Sequence, residues 1–172
     1  MKKNKGIYLG ACKAFHQGYD IVYQDIDGTR DLGGDMLEVD ISQYDYIIAT
    51  PPCNWWSQLN MVWYKSPYAL KTRHLLPLII LRLAKNKKPF VVECVKNLKR
   101  YKENHILQIC EEKGIRYQVV GRHVYFTNTT VDFACPQIQD FGKGGVLVNN
   151  DGYRQGGTNV HNCIEKFLEV YG

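Results

Sequence analysis

Apolar positions along the chain gather in short unbroken runs more often than in a long helical stripe. Gly6–Leu9, Tyr46–Ala49 and Phe90–Val92 are such runs, the pattern of strands covered on both faces. Asp20 to Asp25 (DIVYQD) reads as a further strand, reached through a short helix around Ala14 to Gln17 that Gly18 would end. The polar, glycine-rich stretch from Ile26 to Asp35 is a loop. Ala69 to Asn86 is apolar on nearly every face, which predicts a helix buried between layers and bent at Pro77. Tyr101 to Lys113 carries Ile106, Leu107, Ile109 and Cys110 and reads as a helix capped by Gly114. Ile115 to Phe126 holds two short β runs, a hairpin or an edge pair. Thr158 to about Val170 is a closing helix with Val160, Cys163, Ile164, Phe167 and Leu168 on one face. No repeat or linker interrupts the pattern. Strands alternating with helices of this length imply an α/β fold, a single three-layer domain.

The 172 residues are enough for one buried core. A hydrophobic content of 45% and a charged content of 23% describe an ordinary globular chain. The formal charge of +5 leans mildly toward a polyanionic partner. The N-terminal apolar run is too short for a signal peptide, and Leu75 to Leu81 falls short of the roughly 20 residues of a membrane span. A cytoplasmic, reducing setting is therefore expected, with the six cysteines as thiols. None is arranged as C-x-x-C, so no metal site is expected.

Candidate chemistry concentrates in Tyr44 to Ser57, YDYIIATPPCNWWS, where an apolar strand stops at Pro51-Pro52 and Cys53 follows. About forty residues later a second strand ends at Glu93, with a helix between the two. A right-handed crossover makes such strands parallel and brings both ends to one edge, where open α/β sheets bind ligands. Outward-pointing amides at a strand-to-turn junction activate a thiol; the competing reading is a small buried hydrophobe. Cys12, Cys94, Cys110, Cys135 and Cys163 are assigned to packing. Trp55 and Trp56 either stack on a base or close the core beneath the loop. Asp25 and Asp35 are ligands or solvated loop acids. Arg73, Arg82, Lys85, Lys87 and Lys88 either track phosphates or solvate a helix end, and the latter is expected for Lys85 to Lys88.

A thiol paired with a carboxylate and no histidine partner is not a protease arrangement. It suits attack on an electron-poor ring: a thiolate adds to C6 of a pyrimidine while an acid holds N3, and C5 becomes nucleophilic. At these residues the chain resembles the DNA cytosine-5 methyltransferases. TPPCNWWS is similar to their proline–cysteine loop, and VVECVKN to their glutamate–asparagine–valine motif, with Cys94 in place of the asparagine. VYQDID and GGDMLEVDI resemble the segments that hold the ribose and adenine of S-adenosylmethionine. YRQGGTNVHNCIEKFL resembles the last motif of the family. The matches follow the family's linear order and span nearly the whole chain.

The resemblance implies a Rossmann-like class I methyltransferase sheet with helices on both faces. It implies Cys53 as nucleophile, Glu93 at N3 and Arg122 at the carbonyl or a phosphate. Gly10, Asp25, Asp35, Pro51, Asn159 and Val160 would meet S-adenosylmethionine. Asn54 and Ser57 would order the catalytic loop, and Trp55, Trp56 and His123 would meet the DNA. The glycine motif is reduced to IYLGAC, with Cys12 and Lys13 where the family has small residues. Thr129 to Asn150 stands where the family has a target-recognition domain, as in short phage-encoded members. That brevity implies a lax target sequence or a second chain, a homodimer partner included. Two competing functions follow from the departures: the same chemistry on a nucleotide or RNA or with a group larger than methyl, and a binding protein that no longer turns over. A target inside a duplex would have to be flipped out.

Overall fold

In the computed structural model, residues 2–57, 66–135 and 156–172 are described, with side chains from residue 160 onward in the last stretch. Six runs extend into strands: β1 (Lys5–Leu9), β2 (Asp20–Gln24), β3 (Tyr46–Ala49), β4 (Phe90–Val95), β5 (Arg116–Val120) and β6 (His123–Thr127). They form one sheet in the order β2-β1-β3-β4-β6-β5. The first four are parallel, β6 runs antiparallel to β4, and β5 antiparallel to β6. Five helices complete the described chain: α1 (Pro67–Thr72), α2 (Leu75–Asn86), α3 (Leu98–Glu103), α4 (Ile106–Lys113) and α5 (Gly156–Tyr171).

Alternation of side chains along the buried strands feeds two cores. Ile7, Leu9, Ile47, Ala49, Phe90 and Val92 pack against Leu76, Ile79 and Leu83 of α2, Tyr101 of α3 and Ile106 of α4. The opposite residues, Tyr8, Tyr46, Ile48, Val91 and Tyr125, pack against Cys163, Ile164, Phe167 and Leu168 of α5. This is a Rossmann-like three-layer α/β arrangement. Gly6 is glycine because the Tyr46 ring of the neighbouring strand lies over it; an added Cβ would sit 2.1 Å from that ring. None of the helices among the described residues is long and apolar enough to cross a membrane.

Three expectations about helices change. No helix forms around Ala14 to Gln17. Gly10, Cys12 and Gly18 all have positive φ there, and the Arg30 guanidinium donates to the Cys12 and Ala14 carbonyls in place of helical amides. The long helix expected over residues 69–86 is two helices. Pro77 lies inside the first turn of α2, and its ring is incompatible with a helical carbonyl four residues earlier, which is Arg73, the C-cap of α1. The chain therefore breaks a turn before the proline instead of bending at it. The helix expected over residues 101–113 begins earlier, at Leu98, and is interrupted at His105 (φ 63°), so Tyr101 belongs to α3 and Ile106 starts α4.

Residues 36–45 hold no strand, and basic side chains serve their carbonyls instead. Arg82 donates to Met36 O at 2.6 Å and to Val39 O, and Lys88 donates to Ser42 O and Tyr44 O. These two cations, grouped from the sequence with phosphate-tracking or solvated residues, are framework donors.

Candidate active site

The order β2-β1-β3 reverses direction between β1 and β3, the switch point at which open α/β sheets accept ligands beyond their carboxyl ends. Gly10 sits there with φ +67°, and a Cβ on it would meet Thr50 O at 2.7 Å. Gly10 donates its N–H to Gln24 Oε1 (3.0 Å) and receives Thr50 Oγ1 on its carbonyl (2.7 Å). The ends of β1, β2 and β3 are thus laced together by one backbone turn. Asp25 accepts the Cys12 amide on Oδ2 at 2.7 Å, which leaves its other oxygen for a hydroxyl. Asp35 spends Oδ1 on the Leu37 amide (2.8 Å) and shapes its own turn. Lys13 stands exposed, directed away from the packed interior.

Register Ala49↔Val92 places the exit of β3 beside Glu93. Glu93 is not the last residue of its strand, as the sequence suggested. β6 continues the ladder to Val95↔His123, because an antiparallel neighbour offers hydrogen bonds beyond the point where β3 leaves. Burial lifts the Glu93 carboxyl to about 7. Cys53 is half-buried, and its thiol is raised to about 11, first by burial and then by the charge of Glu93. The two groups expected to face a common cleft therefore feel each other. The expected activation of the thiol by outward amides is not what the resting site provides. Cys94, as expected, turns the other way and is buried in the core on the α2 side of the sheet.

His123 Nε2 lies 3.8 Å from Glu93 Oε1, and burial followed by the Arg122 charge lowers its pKa, so the ring is neutral at neutral pH. Arg122 was placed on a strand from the sequence. It occupies instead the exposed turn between β5 and β6, where its carbonyl accepts Lys96 N at 2.7 Å. Both residues still reach the sheet edge that carries Glu93.

Residues 54–56 form a turn in which Trp56 N donates to Cys53 O at 3.0 Å. That turn is pinned from α3: Asn97 Nδ2 donates to Trp56 O at 2.8 Å, Arg100 donates to Trp55 O, and the Arg100 guanidinium lies 4.5 Å over the Trp55 ring. Trp56 is 2% exposed and packs on Tyr101 at 5.2 Å. It closes the core and offers no face to a base, which corrects the grouping of Trp56 with DNA-contacting residues. Trp55 is half-buried and engaged by Arg100. Pro51 is buried, and Asn54 and Ser57 are half-buried. Trp56→Ala is expected to cost about 3–5 kcal/mol of stability, read as a lower urea midpoint at unchanged slope. Trp56→Phe should cost clearly less, since the indole N–H has no hydrogen-bond partner among the described residues.

Two site residues were not legible in the sequence. Tyr68 of α1, 54% exposed, has its phenol raised by burial and then by the charges of Asp25, Cys53 and Cys12. It therefore lies near enough to Asp25, Cys53 and Cys12 to feel their charges. Arg100 was one of many basic residues until α3 placed it on the loop. Of the C-terminal residues, Val160 packs against the core on the α5 side, and the side chain of Asn159 lies outside the described residues. So do residues 136–155, with most of the segment expected in place of a recognition domain.

Comparison with known families adds one finding. The model of the family described as C-5 cytosine-specific DNA methylase matches residues 4–124, the stretch holding the glycine turn, the thiol, the carboxyl and His123. No curated protein matches the chain.

Proposed function

We propose a function on one premise: the chain belongs to the C-5 cytosine-specific DNA methylase family. The reaction is methyl transfer to C5 of cytosine in DNA through a covalent adduct on Cys53, with S-adenosylmethionine as donor. The observation that carries this reading is the electrostatic pairing of Cys53 with a carboxyl held near neutrality.

Each group has a task that its surroundings suit. Glu93, half protonated near pH 7, gives its proton to N3 and keeps the resulting cation as a hydrogen-bonded partner. The charge it then carries is matched by the base, so the Glu93 repulsion that adds to burial in keeping the thiol protonated is relieved when cytosine is present. Cys53 can then lose its proton to solvent and form the Sγ–C6 bond as the C5=C6 electron pair moves to C5. C5 would then take the methyl group that S-adenosylmethionine supplies, the donor leaving as its neutral thioether; loss of the C5 proton to solvent, departure of the thiolate and return of the N3 proton to Glu93 restore the aromatic ring. Neutral His123, 3.8 Å from Glu93, would accept a hydrogen bond or present one to the base carbonyl, and the exposed Arg122 would reach a phosphate.

The groups at the switch point suit S-adenosylmethionine by their donor set. Asp25 keeps a carboxylate oxygen for a ribose hydroxyl, and the turn at Gly10 to Cys12 sits at the carboxyl end of β1. Once bound, the cofactor would supply an electrophilic methyl group. Tyr68 would cover the cleft between the two ligands.

Mass spectrometry of nucleosides from DNA co-expressed with the protein should show 5-methyldeoxycytidine absent from a Cys53→Ser control. Unmodified DNA together with labelled-methyl transfer to RNA or dCMP would replace DNA as the substrate. No transfer to any of the three, from protein shown by calorimetry to bind S-adenosylmethionine, would overturn the reading.

A further inference from the structure

Outside this site, one cluster of side chains is built from elements far apart in sequence. His16 follows β1, and His161 and Glu165 lie four apart on one face of α5. We propose that these three residues form a binding site for a divalent transition-metal ion, zinc foremost, that fastens α5 to the segment carrying the glycine turn. Nothing in the methyl-transfer chemistry uses them.

The geometry is close to what an ion requires. One oxygen, Glu165 Oε1, lies 2.7 Å from His16 Nδ1 and 3.2 Å from His161 Nε2, and the donor atoms of all three residues fall within 4.8 Å of one another. Ligands at about 2.0–2.2 Å from a tetrahedral ion are separated by about 3.3–3.6 Å, so the ion needs an outward movement of the carboxylate and a turn of one imidazole toward the other. Two imidazoles and a carboxylate are a donor set suited to zinc, with a fourth position left for water.

His16 is positioned in advance. It is 2% exposed, its backbone N–H donates to the Tyr23 hydroxyl at 2.7 Å, and its ring stacks on Tyr8 at 6.0 Å. The His161 side chain is 44% exposed and that of Glu165 26%, which gives an ion a way in from solvent. The His161 ring lies parallel to His16 at 4.3 Å. Being the more exposed, it is the ring that turns so that both lone pairs converge. In the ion-free arrangement both ring nitrogens facing the carboxylate donate protons to it, and an ion would take the place of those protons.

The test uses the untagged full chain, stripped with chelator and titrated with Zn²⁺ alone. One equivalent should bind by calorimetry and raise the thermal midpoint. His161→Ala and Glu165→Gln should weaken binding on the order of 100-fold or more, while their metal-free midpoints stay near that of the parent. Co²⁺ in place of Zn²⁺ should give d–d bands without a thiolate charge-transfer band. Binding that survives His161→Ala, a thiolate band that moves the ion to the cysteines, or no Zn²⁺-dependent change in midpoint would overturn the site.

Discussion

Cys53→Ser is expected to lower methyl transfer by about four orders of magnitude or more, about 5.5 kcal/mol or above in transition-state stabilisation, with little change in the urea midpoint. The hydroxyl fits the half-buried space, so the loss is chemical: an alcohol is a far weaker nucleophile toward C6, and Glu93, engaged with N3, does not take its proton. A second readout is independent of turnover. DNA carrying fluorine in place of the C5 hydrogen cannot complete the reaction, because fluorine does not leave as a cation. The parent protein should therefore accumulate a covalent complex stable to denaturant. Serine in place of Cys53 should form none. A Cys53→Ser variant that retained full transfer would remove the adduct from the mechanism.

The second large effect concerns pH. The reactive combination is a thiolate beside a carboxylic acid, yet the thiol stands at about 11 and the carboxyl at about 7. That combination is the minor one at every pH. Its population grows tenfold per pH unit up to about 7, as thiolate accumulates while Glu93 remains protonated. Above 7 each gain in thiolate is offset by an equal loss of acid, and the profile levels. Log kcat/KM for DNA should thus rise with unit slope and bend near pH 7. Glu93→Gln should lower kcat/KM by roughly 10²–10⁴-fold, and its profile should keep rising through pH 7 without that bend. A bend that persisted in the glutamine variant would assign the ionisation elsewhere.

The same carboxyl affects folding. Its value rises from 4.5 in the unfolded chain to about 7 in the fold, so the native state favours its neutral form. That contribution is complete below about pH 4.5 and is lost as the pH climbs through 7. Glu93→Gln should accordingly match the parent at pH 4 and exceed it at pH 8 by about 3 kcal/mol.

Much of the framework was legible because buried parallel strands need nearly unbroken apolar runs. Tyr46–Ala49 and the approach of β3 and β4 follow from that requirement alone. Helix boundaries were harder, since they turned on side chains distant in sequence. Arg30 satisfies carbonyls that would otherwise demand a helix after β1, and no local pattern announces such a donor. Cys53 and Glu93 stood out because each follows an apolar run in the sequence. Asn97 and Arg100 did not, because a short polar helix looks the same whether it faces solvent or grips a catalytic loop. His16, His161 and Glu165 escaped for a further reason: two of the three share a helix face, but their partner is joined to them only by the tertiary fold. Trp56 illustrates the opposite failure, where an aromatic beside a nucleophile invites a role in recognition and packing claims it.

Asn97 and Arg100 hold the turn after Cys53, and the chain reaches both directly from the strand bearing Glu93. Sulfur and acid are therefore tied to each other through α3, and the continuous sheet ties both to the glycine turn, since Thr50 at the end of β3 bonds to Leu9 and Gly10. The span from methyl donor to base is thus fixed by the same sheet that fixes the spacing of the two reactive groups.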